Sequence, residues 1–224
     1  MSGGVTAAQR FYGRWADLYD ILARATPGLG RLRDRAADAL GLEPGDTVVE
    51  MGCGTGANFP HLRERVGPTG RVVGIDFTRG MLQRARDRIE REGWGNVHVV
   101  QADATRIEFR EPPDAILATF VVGMLGDPAG AVERWADMLA PGGHLALLDA
   151  AQTTRRFGWP VNQAFRGLVV ASSPTGMDGY ERAPWTVLDD RVESARRALS
   201  TRAEEVTHGE HALGIVRLTG GTVD

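Results

Sequence analysis

The sequence predicts an α/β fold with a doubly wound, mostly parallel sheet. The predicted sheet has seven strands in all, and the C-terminal one is antiparallel to the others. Short apolar runs alternate with longer amphipathic segments between residues 47 and 148, the pattern of parallel strands joined by crossover helices. The 224 residues suffice for one such domain, which we predict to span residues 1–224. The composition, 42% hydrophobic and 25% charged, is typical of a globular protein with a sizeable core.

Two helices are predicted ahead of the sheet. Over residues 11–22 the apolar positions recur every three or four residues, which is typical of an amphipathic helix. A Pro-Gly pair interrupts this pattern, and a second helix is predicted over residues 29–40, before a glycine. We therefore expect residues 9–41 to form an N-terminal helical cap.

Five strands alternate with helices in the middle of the chain. The predicted strands cover residues 47–50, 71–75, 97–100, 115–118 and 144–148. Helices are predicted at 58–66 and 79–92, and a third helix from its capping residue Asp127 to Ala140. Strands that alternate with helices in this way are expected to be parallel, with right-handed crossovers.

The last third of the chain departs from this alternation. Residues 150–184 predict an irregular stretch, and residues 188–199 predict a helix. Residues 201–206 and 212–218 have the pattern of a hairpin that turns at His208-Gly209. Such a hairpin would add an antiparallel end strand to the parallel sheet, which is a common mixed arrangement.

Charge and cysteine content exclude several classes of protein. The net charge is −3 and all 26 basic residues are arginines, so no overall positive field would attract nucleic acid. Cys53 is the single cysteine, which excludes an internal disulfide and a cysteine zinc motif; we predict no metal and a reducing, cytoplasmic setting. No segment has the apolar run of a signal peptide or membrane span, although peripheral contact with membrane lipid remains compatible with the sequence.

A glycine loop between the first strand and the following helix is the strongest functional signal. Residues 48–58 read Val-Val-Glu-Met-Gly-Cys-Gly-Thr-Gly-Ala-Asn, and glycines allow a tight turn and the close approach of a ligand. The loop also satisfies the dinucleotide pattern GxGxxA, and Asp76 stands where a ribose-binding acid is expected. Because both kinds of cofactor carry an adenosine ribose, Asp76 does not discriminate between them.

Three further features favour a ligand that joins adenosine to an amino acid. Glu50 ends the first strand, where its carboxylate would bond loop amides or, through water, an ammonium group, but would repel a pyrophosphate. Gly56 removes a side chain where the loop would admit the sulfonium and methionine portion. Asp103 follows the third strand and could accept from the adenine amino group, while the next backbone amide, that of Ala104, donates to a ring nitrogen.

These residues resemble the class I S-adenosylmethionine-dependent methyltransferases, a Rossmann-like family, over most of the chain. Residues 48–56 resemble the family's first motif, Gly74-Ile75-Asp76 its ribose motif, Asp103-Ala104 its adenine contact, and residues 139–145 its turn into the fifth strand. The resemblance implies S-adenosylmethionine as cofactor and a seven-stranded sheet. The cofactor-binding residues that it implies are Glu50, Gly52, Cys53, Gly54 and Gly56 in the loop, Asp76, Phe77 and Met81, Asp103 and Ala104, and Thr119 and Phe120 beside the sulfonium.

Several of these assignments have a structural alternative. Met81 lies on an amphipathic helix, where it would pack in the core or against adenine. Cys53 is interpreted as a small packed residue rather than a nucleophile. Asp149, at the end of the fifth strand, would either face the cleft or cap a loop. We assign no catalytic residue from the sequence. The five histidines are scattered, and none stands at a position where this family places a base.

The acceptor side is less specified by the sequence. Tyr12, Trp15 and Tyr19 lie on the N-terminal helix, which in the small-molecule branch of the family folds over the cofactor; plain packing is the alternative. The pattern of Phe11-Tyr12 followed by Trp-Ala-Asp-Leu-Tyr-Asp at residues 15–20 resembles the quinone-biosynthesis and soluble phosphatidylethanolamine methyltransferase subgroups. Residues 150–185 are predicted to form an acceptor-side insertion, with an aromatic, arginine-containing lid as one hypothesis and a dimer contact or core helix as the others.

The predicted function is therefore S-adenosylmethionine-dependent methyl transfer to a small molecule or lipid, such as a quinone-like compound or a phospholipid headgroup amine. An NAD-dependent oxidoreductase and a non-catalytic cofactor-binding module are the alternatives. The sequence is compatible with a monomer or a homodimer.

Overall fold

A computed structural model describes residues 28–172 and 182–224 of the chain. It contains a seven-stranded sheet in the order β3-β2-β1-β4-β5-β7-β6. The strands are β1 Thr47–Met51, β2 Arg71–Asp76, β3 Val97–Gln101, β4 Ala115–Thr119, β5 Gly143–Ala150, β6 Ala203–His211 and β7 Val216–Val223. The helices are α1 Leu29–Asp38, α2 Phe59–Val66, α3 Arg79–Glu92, α4 Pro128–Asp137, α5 Trp159–Ser172 and α6 Pro184–Arg202.

The predicted fold class is confirmed. Strands β1 to β5 pair in parallel, while β7 is antiparallel to both β5 and β6. The strand order reverses at β1, which has β2 on one side and β4 on the other. In open α/β sheets a ligand binds outside the carboxyl ends of the strands at such a reversal.

The C-terminal hairpin differs from its prediction in position. His208 and Gly209 do not form the turn: they pair with Thr219 and Leu218 inside the ladder. The turn is a short 3-10 segment, Ala212–Gly214, whose residues all have positive φ. The antiparallel strand β7 is also not the end strand, since it lies between β5 and β6. A glycine can stand within a strand, so its presence alone did not locate the turn.

The stretch predicted as irregular contains a helix. Helix α5 occupies Trp159–Ser172, within residues 150–184. Its β-branched and glycine content is unusual for a helix, which weakened the local signal. The predicted helix at 11–22 lies outside the described residues, so a helical cap at 9–41 stays a prediction. An acceptor-side insertion at 150–185 also stays a prediction, because part of this range is not described.

The core forms one apolar layer on each face of the sheet. Successive strand residues point to opposite faces, so Val49 joins the layer under α4 and α6 while Val48 joins the layer under α1, α2 and α3. The largest fully buried side chain, Trp135, lies in the first layer, and Phe59 lies in the second. Of the described helices, none is long and apolar enough to cross a membrane.

Candidate cofactor site

The candidate site lies at the carboxyl edge of the sheet. The loops after β1, β2, β3 and β4 all leave the sheet at this edge, because these four strands are parallel neighbours. The cofactor-binding residues that the sequence predicts between Glu50 and Phe120 lie in these loops, at the strand ends before them, or, for Met81, in the first turn of α3. The fold thus brings to one edge residues that are up to 70 positions apart in the chain.

The three loop glycines have different structural roles. Gly52, Gly54 and Gly56 all have positive φ, at 69°, 54° and 72°. A Cβ on Gly52 would lie 2.3 Å from Cγ2 of Val121, and one on Gly56 would lie 2.4 Å from the ring of Phe59. A Cβ on Gly54 would meet nothing within 4 Å. The missing side chain of Gly56 thus makes room for Phe59, and Gly54 borders open space; that Gly56 also admits the methionine portion stays a prediction.

The loop is fastened to the sheet and to α3. The amide of Cys53 donates to the carbonyl of Ile75 at 2.9 Å, and Nη1 of Arg88 donates to the carbonyl of Gly56 at 2.8 Å. Cys53 is buried, and burial, reinforced by the nearby carboxyls of Glu50 and Asp76, raises the pKa of its thiol well above the ordinary value. Cys53 is thus a packed residue, as expected, and not an activated nucleophile.

Glu50 belongs to a buried polar cluster with Asn58 and Thr119. Nδ2 of Asn58 donates to Oε1 of Glu50 and also lies 2.8 Å from Oγ1 of Thr119, which is itself 3.4 Å from Glu50 Oε1. Burial raises the pKa of Glu50 to about 8, although hydrogen bonds from Asn58 and Thr119 and the charge of Arg33 oppose the rise. Glu50 bonds these side chains rather than the loop amides that the sequence suggested as one alternative.

Two acceptor atoms of this cluster have no partner. Oε2 of Glu50 and Oδ1 of Asn58 are buried and accept no hydrogen bond from the described residues. A buried polar atom without a partner costs about 1–3 kcal/mol, so such atoms are rare unless a ligand or water completes them. Two neighbouring orphan acceptors fit a group with several N–H donors. The α-ammonium of S-adenosylmethionine is such a group.

Asn58 was missed as a site residue. The sequence predicts it only as the start of a helix, and Asn58 is the N-cap residue of α2, but its side chain makes no capping bond. Instead the side chain turns toward Glu50 and Thr119. The signal that could have identified it is an amide residue directly after the glycine loop, where a helix begins to face the ligand.

Asp76 connects the glycine loop to the start of α3. Its Oδ2 accepts from the amide of Gly54 at 2.9 Å, and its Oδ1 accepts from the amide of Thr78 at 2.7 Å. Burial raises the pKa of Asp76, against the lowering effect of these bonds. A carboxylate has about four lone-pair positions, so two amide bonds leave acceptor capacity for a ribose diol.

The predicted adenine-side residues lie around the ends of β2 and β3. Met81 is buried and Phe77 is half-buried, and Nε2 of Gln101 donates to the carbonyl of Phe77 at 3.1 Å. Oδ1 of Asp103 accepts from the amide and hydroxyl of Thr105 at 2.9 and 2.7 Å. The Ala104 carbonyl accepts from the indole of Trp135 at 2.8 Å, which fixes this turn to α4. Asp103 therefore shapes its own turn, and contact with adenine stays a prediction.

The segment after β4 is held by an acid on β5. Phe120 has a positive φ of 56°, and its amide donates to the carbonyl of Leu148 at 2.7 Å. Asp149 is buried; hydrogen bonds from the backbone amides of Val121 and Val122, at the start of a 3-10 turn, lower its pKa, but its Oδ2 has no partner among the described residues. Asp149 thus lies beside the loop after β4, and its two alternative roles, facing the cleft and capping this loop, stay predictions. Burial raises the pKa of Asp149 to about 7.

Three predicted residues fall outside the described part of the chain, and three histidines have partners away from the glycine loop. Tyr12, Trp15 and Tyr19 lie outside the described residues. His144 contacts Thr222, His208 contacts Arg196 and Thr219, and His211 contacts Arg35, all away from the glycine loop. Within residues 28–172 and 182–224, no group of three or more acidic, histidine or cysteine side chains could hold a metal ion.

Comparisons with known proteins point to one class of enzyme. The profile of a methyltransferase domain matches residues 48–143. Phosphatidylethanolamine N-methyltransferase of Cereibacter sphaeroides is 33% identical over 146 residues, which cover 64% of this chain and 68% of that protein. The ubiquinone/menaquinone biosynthesis C-methyltransferase UbiE of Vibrio parahaemolyticus is 33% identical over 149 residues, 65% of this chain and 58% of that protein.

The fold is also shared with solved structures. A SAM-dependent methyltransferase from Aquifex aeolicus superposes with a TM-score of 0.57 at 20% identity and covers 92% of this chain and 97% of its own. At this identity the likeness shows the fold alone. The alignment with UbiE, at 58% of its length, leaves a large part of that relative unmatched.

Proposed function

Starting from the fact that this chain belongs to the class I S-adenosylmethionine-dependent methyltransferases, we propose that it transfers a methyl group to a small-molecule or lipid acceptor. When bound, the cofactor supplies a methyl group activated by the adjoining sulfonium. The protein's contribution is to bind and align the reactants, which can supply much of the rate acceleration of an in-line displacement. The observation that carries the proposal is the pair of buried, unpartnered acceptors, Glu50 Oε2 and Asn58 Oδ1.

On the cofactor side, we assign Glu50 and Asn58 to the α-ammonium and Asp76 to the ribose. A positive group beside Glu50 would favour its ionised form and offset the cost of burying it. Asp76 would accept from the ribose hydroxyls while it holds the Gly54 amide, so ribose binding and loop conformation are linked. Thr119, hydrogen-bonded to the same cluster, positions the end of β4 beside Glu50.

The same cluster argues against a dinucleotide. The phosphates of NAD are acceptors and anions, so they would give Asn58 Oδ1 no donor and would oppose ionisation of Glu50. Family membership supports the same conclusion. A protein that binds the cofactor without catalysis is the remaining alternative, and only turnover separates it from an enzyme.

For the acceptor, we propose an apolar or amphiphilic molecule. The relatives' names support this, since one acts on phosphatidylethanolamine and the other serves ubiquinone and menaquinone synthesis. The segment after β5 contains α5 and leaves the sheet at the same edge as the glycine loop, which suits an acceptor-side element. The buried, reduced Cys53 is consistent with a cytoplasmic setting, which we also propose.

Calorimetry with S-adenosylhomocysteine tests the cofactor assignment. We expect Glu50→Gln to weaken binding about ten- to a hundredfold, because a charged hydrogen bond to the ammonium is worth about 1.5–3 kcal/mol. Glu64→Gln is the matched control, since Glu64 is exposed on α2. Asp76→Ala should weaken binding by a similar factor. Equal affinity of wild type and Glu50→Gln would reject the assignment, and stabilisation by NAD instead of S-adenosylhomocysteine would reject the family's cofactor for this chain.

The pH dependence of binding provides an independent check. Because the pKa of Glu50 is raised to about 8, the carboxyl is largely protonated at pH 6 and must lose its proton to accept from an ammonium. Affinity for S-adenosylhomocysteine should therefore increase from pH 6 to pH 8, with proton release, and this increase should vanish in Glu50→Gln.

Transfer of labelled methyl from the cofactor to a panel of quinols and phospholipids then tests turnover, and its absence with every acceptor would favour the non-catalytic alternative.

A further inference from the structure

The solvent-facing side of helix α5 carries no charge. Over residues 159–170 the exposed residues of this helix include one with a polar side chain, Gln163, which is uncharged. They are Trp159, Pro160, Gln163, Ala164, Gly167 and Leu168. Helix α3, by contrast, exposes arginines and acids along its outer side, as surface helices ordinarily do. We call this side of α5 the α5 face.

The α5 face begins at Trp159 and continues into the preceding turn, which carries Phe157. Phe157 is 86% exposed and Trp159 is 71% exposed, which is unusual for side chains of this size. Leu213, 64% exposed, belongs to the neighbouring turn, where a Cβ on Gly214 would lie 3.1 Å from Nε of Arg155. Phe157, Trp159 and Leu168 belong to one stretch of the chain, and large exposed apolar side chains grouped in this way mark an interaction surface.

Hydrogen bonds hold the turn at residues 155–158, between β5 and α5, in place. Asn162 accepts from the amide of Thr153 at 2.8 Å and donates to its carbonyl at 3.0 Å. The amide of Gly158 donates to the carbonyl of Arg155, and the amide of Asn162 to the carbonyl of Gly158. The outward position of Phe157 is therefore built into the fold, and little conformational entropy would be lost when the ring is buried by a partner.

Basic residues flank this apolar area without acids in the same segment. Residues 150–172 contain three arginines and neither Asp nor Glu. Arg156 lies with its guanidinium 6.0 Å from the Phe157 ring, and Arg155 forms an exposed ion pair with Glu210 at 3.6 Å. Exposed pairs are worth little, so Arg155 can exchange Glu210 for another anion. Arg166 points back to the protein, to Gln152 and the Trp185 ring.

We propose that the α5 face, with Phe157, Arg155 and Arg156, docks on the surface of a membrane that contains anionic phospholipid. Aromatic rings prefer the interfacial zone of a bilayer, and arginines beside them attract lipid phosphates. Because α5 follows β5, docking here would bring the carboxyl edge of the sheet, with its cofactor site, close to the lipid surface. The proposal does not rest on methyl transfer, since it concerns binding alone.

Sedimentation with vesicles tests the proposal in the absence of cofactor. We expect the full chain to sediment with phosphatidylcholine vesicles that contain phosphatidylglycerol, to bind pure phosphatidylcholine more weakly, and to be released by salt. The double substitution Phe157→Ser and Trp159→Ser should lower the partition coefficient about tenfold or more, because it removes the two largest exposed apolar groups. Arg155→Gln with Arg156→Gln should reduce only the preference for the anionic vesicles.

Val100→Ser is the matched control. Val100 is 43% exposed, but it lies on β3, four strands away from β5 in the sheet, so its loss should leave sedimentation unchanged. Thermal unfolding of each variant shows whether the fold is intact. The proposal is overturned if the wild type sediments with neither vesicle, if Phe157→Ser with Trp159→Ser binds like the wild type, or if that variant instead converts a dimer to a monomer in sedimentation velocity.

Discussion

At the scale of single residues, the place of a residue in the sequence does not always predict its hydrogen-bond partners in the fold. Glu50 was singled out from its place at the end of a strand, and it does face the candidate site, but the atoms that hold it belong to Asn58 and Thr119. Asn58 is 8 positions and Thr119 is 69 positions from Glu50 in the sequence, so no local sequence pattern predicts these contacts. Asp149 likewise lies near Val121 and Val122, which are far from it in the chain.

Gly54 and Gly56 should respond differently to substitution by alanine. Both have positive φ, which costs an alanine about 1–2 kcal/mol, but only at Gly56 would the new methyl overlap a ring, that of Phe59. We therefore expect Gly56→Ala to lower the melting temperature at least twice as much as Gly54→Ala. Gly54→Ala should instead weaken S-adenosylhomocysteine binding, because its methyl projects into open space beside Asp76.

Differential scanning fluorimetry and calorimetry of the two variants measure these effects. Phe59→Leu combined with Gly56→Ala should recover part of the lost stability, since it relieves the overlap. Equal melting temperatures for the two glycine variants would contradict the distinction, as would unchanged ligand affinity in Gly54→Ala.

At the scale of secondary-structure elements, termini with a strong chemical signal were predicted well. Asp127 precedes a proline and caps α4 as expected, with its Oδ1 accepting from the amide of Gly130 at 3.0 Å. Helix α3 has the predicted bounds as well, because its apolar positions have helical period and Gly93 ends it with a positive φ. Helix α5 and the hairpin turn had no such signal and were assigned wrongly.

Loss of the cap of α4 should destabilise the protein. Asp127→Ala leaves an amide in the first turn without its acceptor, and we expect a cost of about 0.5–2 kcal/mol in urea unfolding. Asp137→Ala is the comparison, since Asp137 ends the same helix and makes an ion pair with Arg202 at its surface. A larger loss for Asp137→Ala than for Asp127→Ala would show that the cap is not the stronger interaction.

At the scale of the whole molecule, two buried carboxyls connect stability to pH. Burial raises the pKa of Asp149 from 3.8 to about 7 and that of Glu50 from 4.5 to about 8. Each group binds its proton more tightly in the folded chain than in the unfolded chain. Their contribution to stability is therefore greatest below the unfolded pKa and declines as the pH rises through the folded pKa.

Chemical denaturation between pH 5 and pH 8 should show this decline. Asp149→Asn and Glu50→Gln imitate the protonated groups, so each variant should gain stability relative to the wild type as the pH rises, by up to about 1.4 kcal/mol per pH unit. Glu64→Gln, at an exposed position, should follow the wild type. A constant difference between Asp149→Asn and the wild type over this range would show that Asp149 does not titrate there. Stabilisation of Glu50→Gln together with weaker cofactor binding would mark Glu50 as a residue kept for function.

The sequence by itself determined the alternation of strands and helices, the glycine loop and the acids at the ends of β1, β2 and β3. These features are local: each depends on the period of apolar residues or on backbone angles that glycine favours. Only the tertiary structure decided that Phe59 occupies the space beside Gly56, that β7 enters the sheet between β5 and β6, and that acceptors of Glu50 and Asn58 stay unpaired. Such features depend on packing between distant segments, which a linear pattern does not encode.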